Sequence, residues 1–319
     1  MPDRVLRLQR IARATAVRAP ARRPVMIAIA GDSAAGKTTL SGGLATLLGP
    51  GRVTTICVDD YHRYDREERR KLPFTALHPD CNYIGIMEQH LQLLATGEPI
   101  LKPVYDHRTG QLARPELVCP GDFVIAEGLL PLHTKLARAC FDIAVYLDPP
   151  EEIRRRWKID RGVGKRGYDK HQVEAELQRR EQESADFIRP QREYADVVVR
   201  FAPISEREDP PGTPLSAKLL LRPTIRHPDL SKVLAGDRRW TIHLKLDREE
   251  NGRPVDALHI HGYAPREDSQ EVEKAIWAQL GLEPGDPIHT LGHLANGERS
   301  EPLAITQLIL LYHMLDESR

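Results

Sequence analysis

The sequence predicts an α/β fold: a mostly parallel sheet flanked by helices, extended by a smaller α+β C-terminal region. Three observations carry that expectation. Between residues 25 and 202, short apolar runs alternate with segments of helical periodicity, an order that lays helices on the faces of parallel strands. A glycine-rich turn joins the first strand to the first helix. Beyond a proline-rich break the pattern changes to alternating strands followed by two helices.

Val25–Ala30 is an apolar run bounded by Gly31 and suits a buried strand. Thr38–Leu48 has small and apolar residues at helical spacing and stops at Gly49-Pro50. Val53–Val58 reads as a β-branched strand, and Tyr83–Ala95 as a helix ending at Gly97. Phe123–Ala126 and Ile143–Leu147 are two more buried strands. Glu151–Arg161 and His171–Ile188 are expected helices with polar faces, and Val197–Phe201 is the last strand of the unit. Residues 24–202 are therefore expected to form one domain, preceded by a basic tail at 1–23 and followed by an extension at 203–319. Pro203, Pro210, Pro211 and Pro214 mark either a domain boundary or a structured crossover. In the extension, Trp240–Leu246 and Ala257–Tyr263 alternate as strands do, with the hairpin signal Asn251-Gly252 between them. Gln270–Leu280 predicts a helix ended by Gly281. The apolar helix Leu303–Leu315 must bury a face. The extension is expected to lengthen the sheet and to build a subunit contact, with that helix supplying buried area.

Composition excludes several classes. Lys+Arg and Asp+Glu both number 46 in 319 residues, so the formal net charge is zero and no nucleic-acid partner is expected. A hydrophobic share of 40% is enough for a core. No stretch approaches the roughly 18 apolar residues that cross a bilayer, so no membrane partner is expected, and a cytoplasmic location is. Cys57, Cys81, Cys119 and Cys140 form no CxxC and no zinc-finger spacing with histidine; they read as reduced thiols. The N-terminal tail holds Arg4, Arg7, Arg10, Arg13, Arg18, Arg22 and Arg23 against the single acid Asp3. It reads as a solvated basic tail or a surface helix rather than a targeting leader. His259 and His261 share a sheet face, but no third ligand is fixed by the sequence. They are expected to be polar sheet residues rather than a metal site.

The strongest motif is Gly31-Asp32-Ser33-Ala34-Ala35-Gly36-Lys37-Thr38, a full match to G-x-x-x-x-G-K-[ST] between a strand and a helix. It makes the expected fold one of P-loop NTPase type. The glycines let backbone N–H groups wrap a phosphate, and the helix N-terminus adds partial positive charge. Gly31 through Thr39, with Thr39 the next residue in the helix, is the expected ATP site. Lys37 reaches the β- and γ-phosphates as a catalytic cation, and the Thr38 hydroxyl holds Mg²⁺.

Asp59-Asp60-Tyr61-His62 stands at the end of the second strand, the edge where open parallel sheets bind ligands. A carboxylate there can accept the proton of a substrate hydroxyl. Ile125-Ala126-Glu127-Gly128 ends an apolar strand in an acid, placed to hold Mg²⁺, with Gly128 permitting close backbone approach. Lys158, Arg161, Lys165 and Arg166 run among Gly162, Gly164 and Gly167, as a mobile cationic lid over transferring phosphates would. Arg179 and Arg180 follow on the next helix. Residues 62–71 offer His62, Arg63, Arg66, Arg69, Arg70 and Lys71, which favours an anionic acceptor over a nucleoside.

Together these residues resemble the phosphoribulokinase/uridine kinase family, and its phosphoribulokinases more closely. The resemblance runs over roughly residues 25–202, on Val58-Asp59-Asp60-Tyr61-His62-Arg63-Tyr64-Asp65-Arg66, Thr75-Ala76-Leu77-His78-Pro79-Asp80 and Lys102-Pro103-Val104-Tyr105-Asp106-His107-Arg108-Thr109-Gly110. Glu127-Gly128-Leu129-Leu130-Pro131 and Ala195-Asp196-Val197-Val198-Val199 complete it. It implies transfer of the ATP γ-phosphoryl group to O1 of ribulose 5-phosphate. It further implies Asp59 as the base, His62 and Arg66 on the sugar phosphate, Glu127 at the metal, and Lys158 and Arg161 as lid cations. Tyr105 and His107 fall on a substrate-side segment, and Arg70, Arg166, Arg179 and Arg180 are further expected substrate contacts. A homo-oligomer, as a dimer, is expected. Two departures stand out. The family's lid reads Arg-Asp where this chain has Arg161-Gly162. The plant-type P-loop cysteine is replaced by Ala35, so the disulfide it would form with Cys57 is expected to be absent. The alternatives are a uridine or nucleoside kinase, a kinase of another pentose phosphate, and a nucleotide-binding regulator with weak turnover.

Overall fold

A computed structural model describes residues 23–49, 51–166, 169–204, 210, 212–235, 240–281, 291–294 and 297–317. The basic tail at 1–22 lies outside them. In chain order the strands are β1 (Val25–Gly31), β2 (Val53–Cys57), β3 (Ile100–Asp106), β4 (Gln111–Val118) and β5 (Phe123–Gly128). They continue with β6 (Ile143–Leu147), β7 (Val197–Ala202), β8 (Ser216–Leu221), β9 (Ile242–Arg248) and β10 (Pro254–Ile260). The helices are α1 (Lys37–Leu48), α2 (Arg66–Arg70), α3 (Ile84–Ala95), α4 (Lys135–Arg138) and α5 (Glu151–Arg166). After them come α6 (Lys170–Glu183), α7 (Ser231–Leu234), α8 (Arg266–Leu280) and α9 (Glu301–Glu317).

Eight strands form one sheet in the order β2-β5-β1-β6-β7-β8-β10-β9. The first five pair in parallel. Antiparallel pairing then carries the sheet through β8, β10 and β9, so Pro203, Pro210 and Pro214 lie in the connection between two neighbouring antiparallel strands of one continuous sheet, neither a break in it nor a crossover. β1, β5 and β6 are buried along their full length, as parallel strands covered on both faces must be. Alternation along β1 divides the core. Ile27 and Ile29 face Leu40 and Leu44 of α1 together with Ile276 of α8 and Leu308 of α9. Met26 faces Met87, Leu91 and Leu94 of α3.

The expected apolar C-terminal helix is α9, and it buries its area inside the chain rather than at a subunit contact. Leu303, Ile305, Leu308, Ile309, Leu311 and Met314 enter the same core as α1. Gln307 joins the two ends of the chain: its Nε2 donates to the Thr39 carbonyl at 3.3 Å and its Oε1 accepts from Gly292 N–H at 2.9 Å.

Three elements differ from the sequence expectation. β3 and β4 pair as a separate two-stranded hairpin with a register shift between Lys102 and Val104. β4 is exposed along nearly its whole length, so it has no inward-outward alternation to read. The expected helix Glu151–Arg161 continues to Arg166, and Gly162 lies inside it. A Cβ on Gly162 would stand 2.7 Å from Val173 Cγ2; the glycine lets α5 and α6 pack closely instead of opening a loop. Val58 leaves the strand for a 3₁₀ turn over Val58–Tyr61.

Arg222 fixes the start of the extension to the kinase-like half. It is 1% exposed and donates to both carboxylate oxygens of Glu249 at 2.7 and 2.8 Å. Its Nη1 also donates to the carbonyls of Arg192, Glu193 and Ala195. Arg222→Met leaves the Glu249 carboxylate without this guanidinium and the three carbonyls without their donor. Unfolding free energy from urea titration is expected to fall by about 3–5 kcal/mol; a loss below 1 kcal/mol would show that the cluster does not anchor the fold.

Candidate active site

The P-loop rises from the end of β1 into α1. Gly36 takes φ 97° at the N-cap of α1, a left-handed conformation that costs glycine little. Ala34 also has positive φ, 68°, which is strained for a residue with a Cβ and marks a loop whose shape its surroundings impose. Lys37 Nζ donates to the carbonyls of Gly31 and Asp32 at 2.9 and 3.0 Å, curling the ammonium over the loop.

The α5 cations meet that loop. Lys158 Nζ and Arg161 Nη2 both donate to Ser33 Oγ, at 2.9 and 3.3 Å. Arg154, which the sequence reading missed, donates to the Ser33 carbonyl at 3.1 Å and lies 3.6 Å from Asp32. The buried Asp32 accepts from the Ser184 hydroxyl and from Ser33 N–H. Arg180 borders a small cavity lined also by Asp32, Ser33, Arg154 and Lys158; it pairs with Glu176 at 2.5 Å, and its Nε is buried without a hydrogen-bond partner. Arg179 instead donates to the Leu72 carbonyl. The side chain of Arg166 lies outside the described residues.

Thr38 Oγ1 donates to Glu127 Oε1 at 3.0 Å. Burial pushes the Glu127 carboxyl up from its usual range; Lys37 and the Thr38 hydrogen bond oppose the shift, while Asp59 and Asp60 add to it. Asp59 Oδ1 accepts from Leu129 N–H at 2.9 Å. This contact needs Gly128, because a Cβ there would stand 2.7 Å from Asp59 Oδ1 and 2.3 Å from Val58 Cγ2. A buried Glu127 bonded to the P-loop hydroxyl, with the half-buried Asp59 and Asp60 close enough to feel its charge, is an oxygen donor set that fits a hard divalent cation.

The β3–β4 hairpin closes the other side. Lys102, buried and also missed from sequence, pairs with Asp60 at 2.5 Å and Glu116 at 3.0 Å. Tyr105 and His107 bring their rings to 4.8 and 6.3 Å from the His62 ring. His62 is buried and bonds Asn82 Oδ1 through Nδ1 at 2.7 Å. Burial, then the nearby Arg69 charge, lowers its pKa to about 4, so the ring is neutral at pH 7. Arg66 and Arg70, both expected on substrate, have protein partners. Arg66 donates to the carbonyls of His107, Arg108 and Thr109 in the hairpin turn. Arg70 is an exposed partner of Glu67 at 2.7 Å. Between them Arg69 turns inward, 4.7 Å above the Tyr105 ring and bonded to its hydroxyl. Arg69 Nη1 is buried with no hydrogen-bond partner. Cys57, at the end of β2, is a free thiol whose pKa is pushed well up by burial and then by Asp59, Glu127 and Asp60.

Fold and loop together define a P-loop protein of the nucleoside-triphosphate-binding class. The family described as Phosphoribulokinase / Uridine kinase matches residues 26–207. The chain is 38% identical over 204 residues to a phosphoribulokinase of Synechocystis sp., covering 64% of this chain and 61% of that one. It is 32% identical over 221 residues to a chloroplastic phosphoribulokinase of Triticum aestivum, covering 64% of this chain and 55% of that one. Each match spans less than two thirds of the relative's length. A solved structure described as phosphoribulokinase from Rhodobacter spheroides superposes with a TM-score of 0.56 at 16% identity, covering 81% of this chain and 95% of that one; the fold is shared. The chain belongs to the phosphoribulokinase/uridine kinase family. Among the described residues no helix is long and apolar enough to cross a membrane.

His62 generates a pH prediction. Its folded pKa of about 4 lies below the unfolded value of about 6.5. The unfolded chain therefore binds more protons between those values, and stability falls as pH drops through that window. His62→Asn keeps an amide donor near the Nδ1 position and removes the titration. Between pH 7.5 and 4.5 the wild type is expected to lose more unfolding free energy than this variant. Equal losses in urea titrations at the two pH values would refute the buried neutral imidazole.

Proposed function

We propose that this chain transfers the ATP γ-phosphoryl group to a hydroxyl of a sugar phosphate, O1 of ribulose 5-phosphate. The observation that carries the reading is Glu127: it bonds the P-loop Thr38 and feels the charges of both Lys37 and Asp59. A phosphate cradle and a strand-end carboxylate thus share one cleft. Family membership and the similarity to proteins named phosphoribulokinase support the same reaction.

Asp59 accepts the proton of the attacking hydroxyl as its oxygen bonds the γ-phosphorus and the bond to the β-phosphate oxygen breaks, leaving ADP. Leu129 N–H holds the carboxylate in place. Lys37 turns from the loop carbonyls to the β- and γ-phosphates. Lys158 and Arg161, already gathered at Ser33, stabilise charge on the transferring group. Thr38 and Glu127 would hold magnesium, which would supply positive charge against the phosphates.

Arg69 supports an anionic acceptor. A half-buried guanidinium whose Nη1 is buried without a partner favours an anion over the apolar slot a nucleoside base requires. Gly162 in place of an acid is the sequence feature that favours a regulator with weak turnover. A side chain at that position would grow against Val173 of α6, so the glycine serves helix packing in this arrangement.

Asp59→Asn is expected to lower kcat by ~10²–10⁴-fold while ATP affinity by calorimetry stays within a factor of two or so; retention of most of the rate removes Asp59 as the base. Arg69→Met should raise KM for ribulose 5-phosphate by ~10–100-fold, the loss of a charged hydrogen bond, with KM for ATP little changed. ADP release measured against pentose phosphates and uridine decides the acceptor. Preference for uridine would overturn the sugar-phosphate reading, and ATP binding without acceptor-dependent turnover would favour the regulator.

A further inference from the structure

We propose that Cys57, Asp60 and His107 form a binding site for a soft divalent cation of the zinc class, and that such a cation shuts the acceptor side of the cleft. The inhibitory part rests on the proposed acceptor site; the binding part does not.

Three elements meet here. Cys57 ends β2, Asp60 stands in the 3₁₀ turn that follows, and His107 sits just beyond β3 at the hairpin turn. The Cys57 sulfur, an Asp60 carboxylate oxygen and a His107 ring nitrogen all lie within 4.8 Å of one another. Zinc bonds sulfur at about 2.3 Å and nitrogen or oxygen at about 2.0–2.2 Å, so a tetrahedral ion draws these atoms together by about 1 Å. One sulfur, one nitrogen and one oxygen are a zinc-like set, whereas magnesium takes oxygen donors and resists losing water. The site is therefore chemically distinct from Thr38 and Glu127. Three protein donors leave a fourth position for water.

Asp60 is already oriented by Lys102 and by Tyr105 N–H at 3.4 Å, the kind of outer support that metal-bound carboxylates use. The His107 ring is 5.0 Å from the Tyr105 ring, and Arg66 pins the turn that carries it. Asp59 and Glu127 add negative charge around Cys57. Binding replaces the thiol proton: Cys–SH and M²⁺ give Cys–S–M⁺ and H⁺. The bound ion then ties the end of β2 to the hairpin beside His62 and Tyr105, where the acceptor must enter.

Metal-free, untagged protein titrated with Co²⁺ tests this. A thiolate-to-cobalt charge-transfer band is expected in the near ultraviolet, lost in Cys57→Ser and displaced by Zn²⁺. His107→Gln should weaken Co²⁺ binding by ~10-fold or more, which tests the site without altering the thiol should Cys57→Ser fail to fold. In turnover with saturating magnesium-ATP, Zn²⁺ should inhibit competitively with ribulose 5-phosphate. Cys57→Ser should raise the half-inhibiting concentration by ~10-fold or more. No sulfur-to-cobalt band in the wild type, or a band unaffected by either variant, overturns the site. A band with unchanged zinc sensitivity in Cys57→Ser overturns the shutting of the cleft. The band requires no turnover, so its absence is separable from a failure of ribulose 5-phosphate to serve as acceptor.

Discussion

The parallel register of β5 between β1 and β2 is the constraint on which the site depends. Glu127 stands opposite Ile29 on one side and Cys57 on the other, and Gly128 stands opposite Ala30. The loop leaving β1 and the turn leaving β2 therefore begin at the level of the same carboxylate. A slip of one residue would turn Glu127 to the other face of the sheet and separate it from Thr38. The register also sets Gly128 beneath Asp59, where any side chain would collide with the carboxylate. Burying an acid at this point is unfavourable. Lys37 and the Thr38 hydroxyl offset part of that cost, and the remainder leaves a site poised for added positive charge.

Cations reach the cleft through helix periodicity. Arg154, Lys158 and Arg161 are spaced four and three residues apart, one face of α5, and all three meet Ser33. Gly162 on another part of the same helix seats it against α6. The end of α6 then joins both halves of the site. Glu183 accepts from Thr75 N–H at 2.7 Å, and Ser184 bonds Asp32. A π-turn over Ser184–Ile188 follows immediately; the extra residue in such a turn re-aims side chains that an unbroken helix would direct elsewhere. Helices carrying the cations are thus cross-linked to the P-loop and to the segment that follows α2.

How much of this was legible depends on whether local spacing or tertiary packing decides a residue's role. The P-loop is a backbone device, and its glycines at fixed intervals after an apolar strand are readable as such. Asp59 and Glu127 are readable because an acid at the tip of an apolar strand has one place to go. The arginines of α2 are different. Arg66, Arg69 and Arg70 look equivalent in sequence, yet the Asp65–Glu68 capping box and the hairpin turn set the rotation of this five-residue helix. That rotation turns Arg69 inward, gives Arg66 to the hairpin carbonyls and leaves Arg70 outside. Lys102 was hidden for a related reason: a lysine before a proline reads as solvated surface, and only the fold supplies Asp60 and Glu116 as partners.

The C-terminal extension acts on the site from behind. Gly42 and Gly43 lie in the interior of α1, where glycine costs about 1 kcal/mol relative to alanine. At Gly43 the reason is visible, since a Cβ would stand 1.9 Å from Gln307 Nε2. The missing side chain lets α9 approach α1 closely enough for Gln307 to reach the Thr39 carbonyl. Thr39 belongs to the first turn of the helix whose N-terminus forms the phosphate cradle. The same Gln307 amide bonds Gly292, so one side chain links Gly292 to the first turn of α1. The apolar helix that fills the core therefore also packs directly on the first helix, and one of its side chains bonds the turn that follows the P-loop.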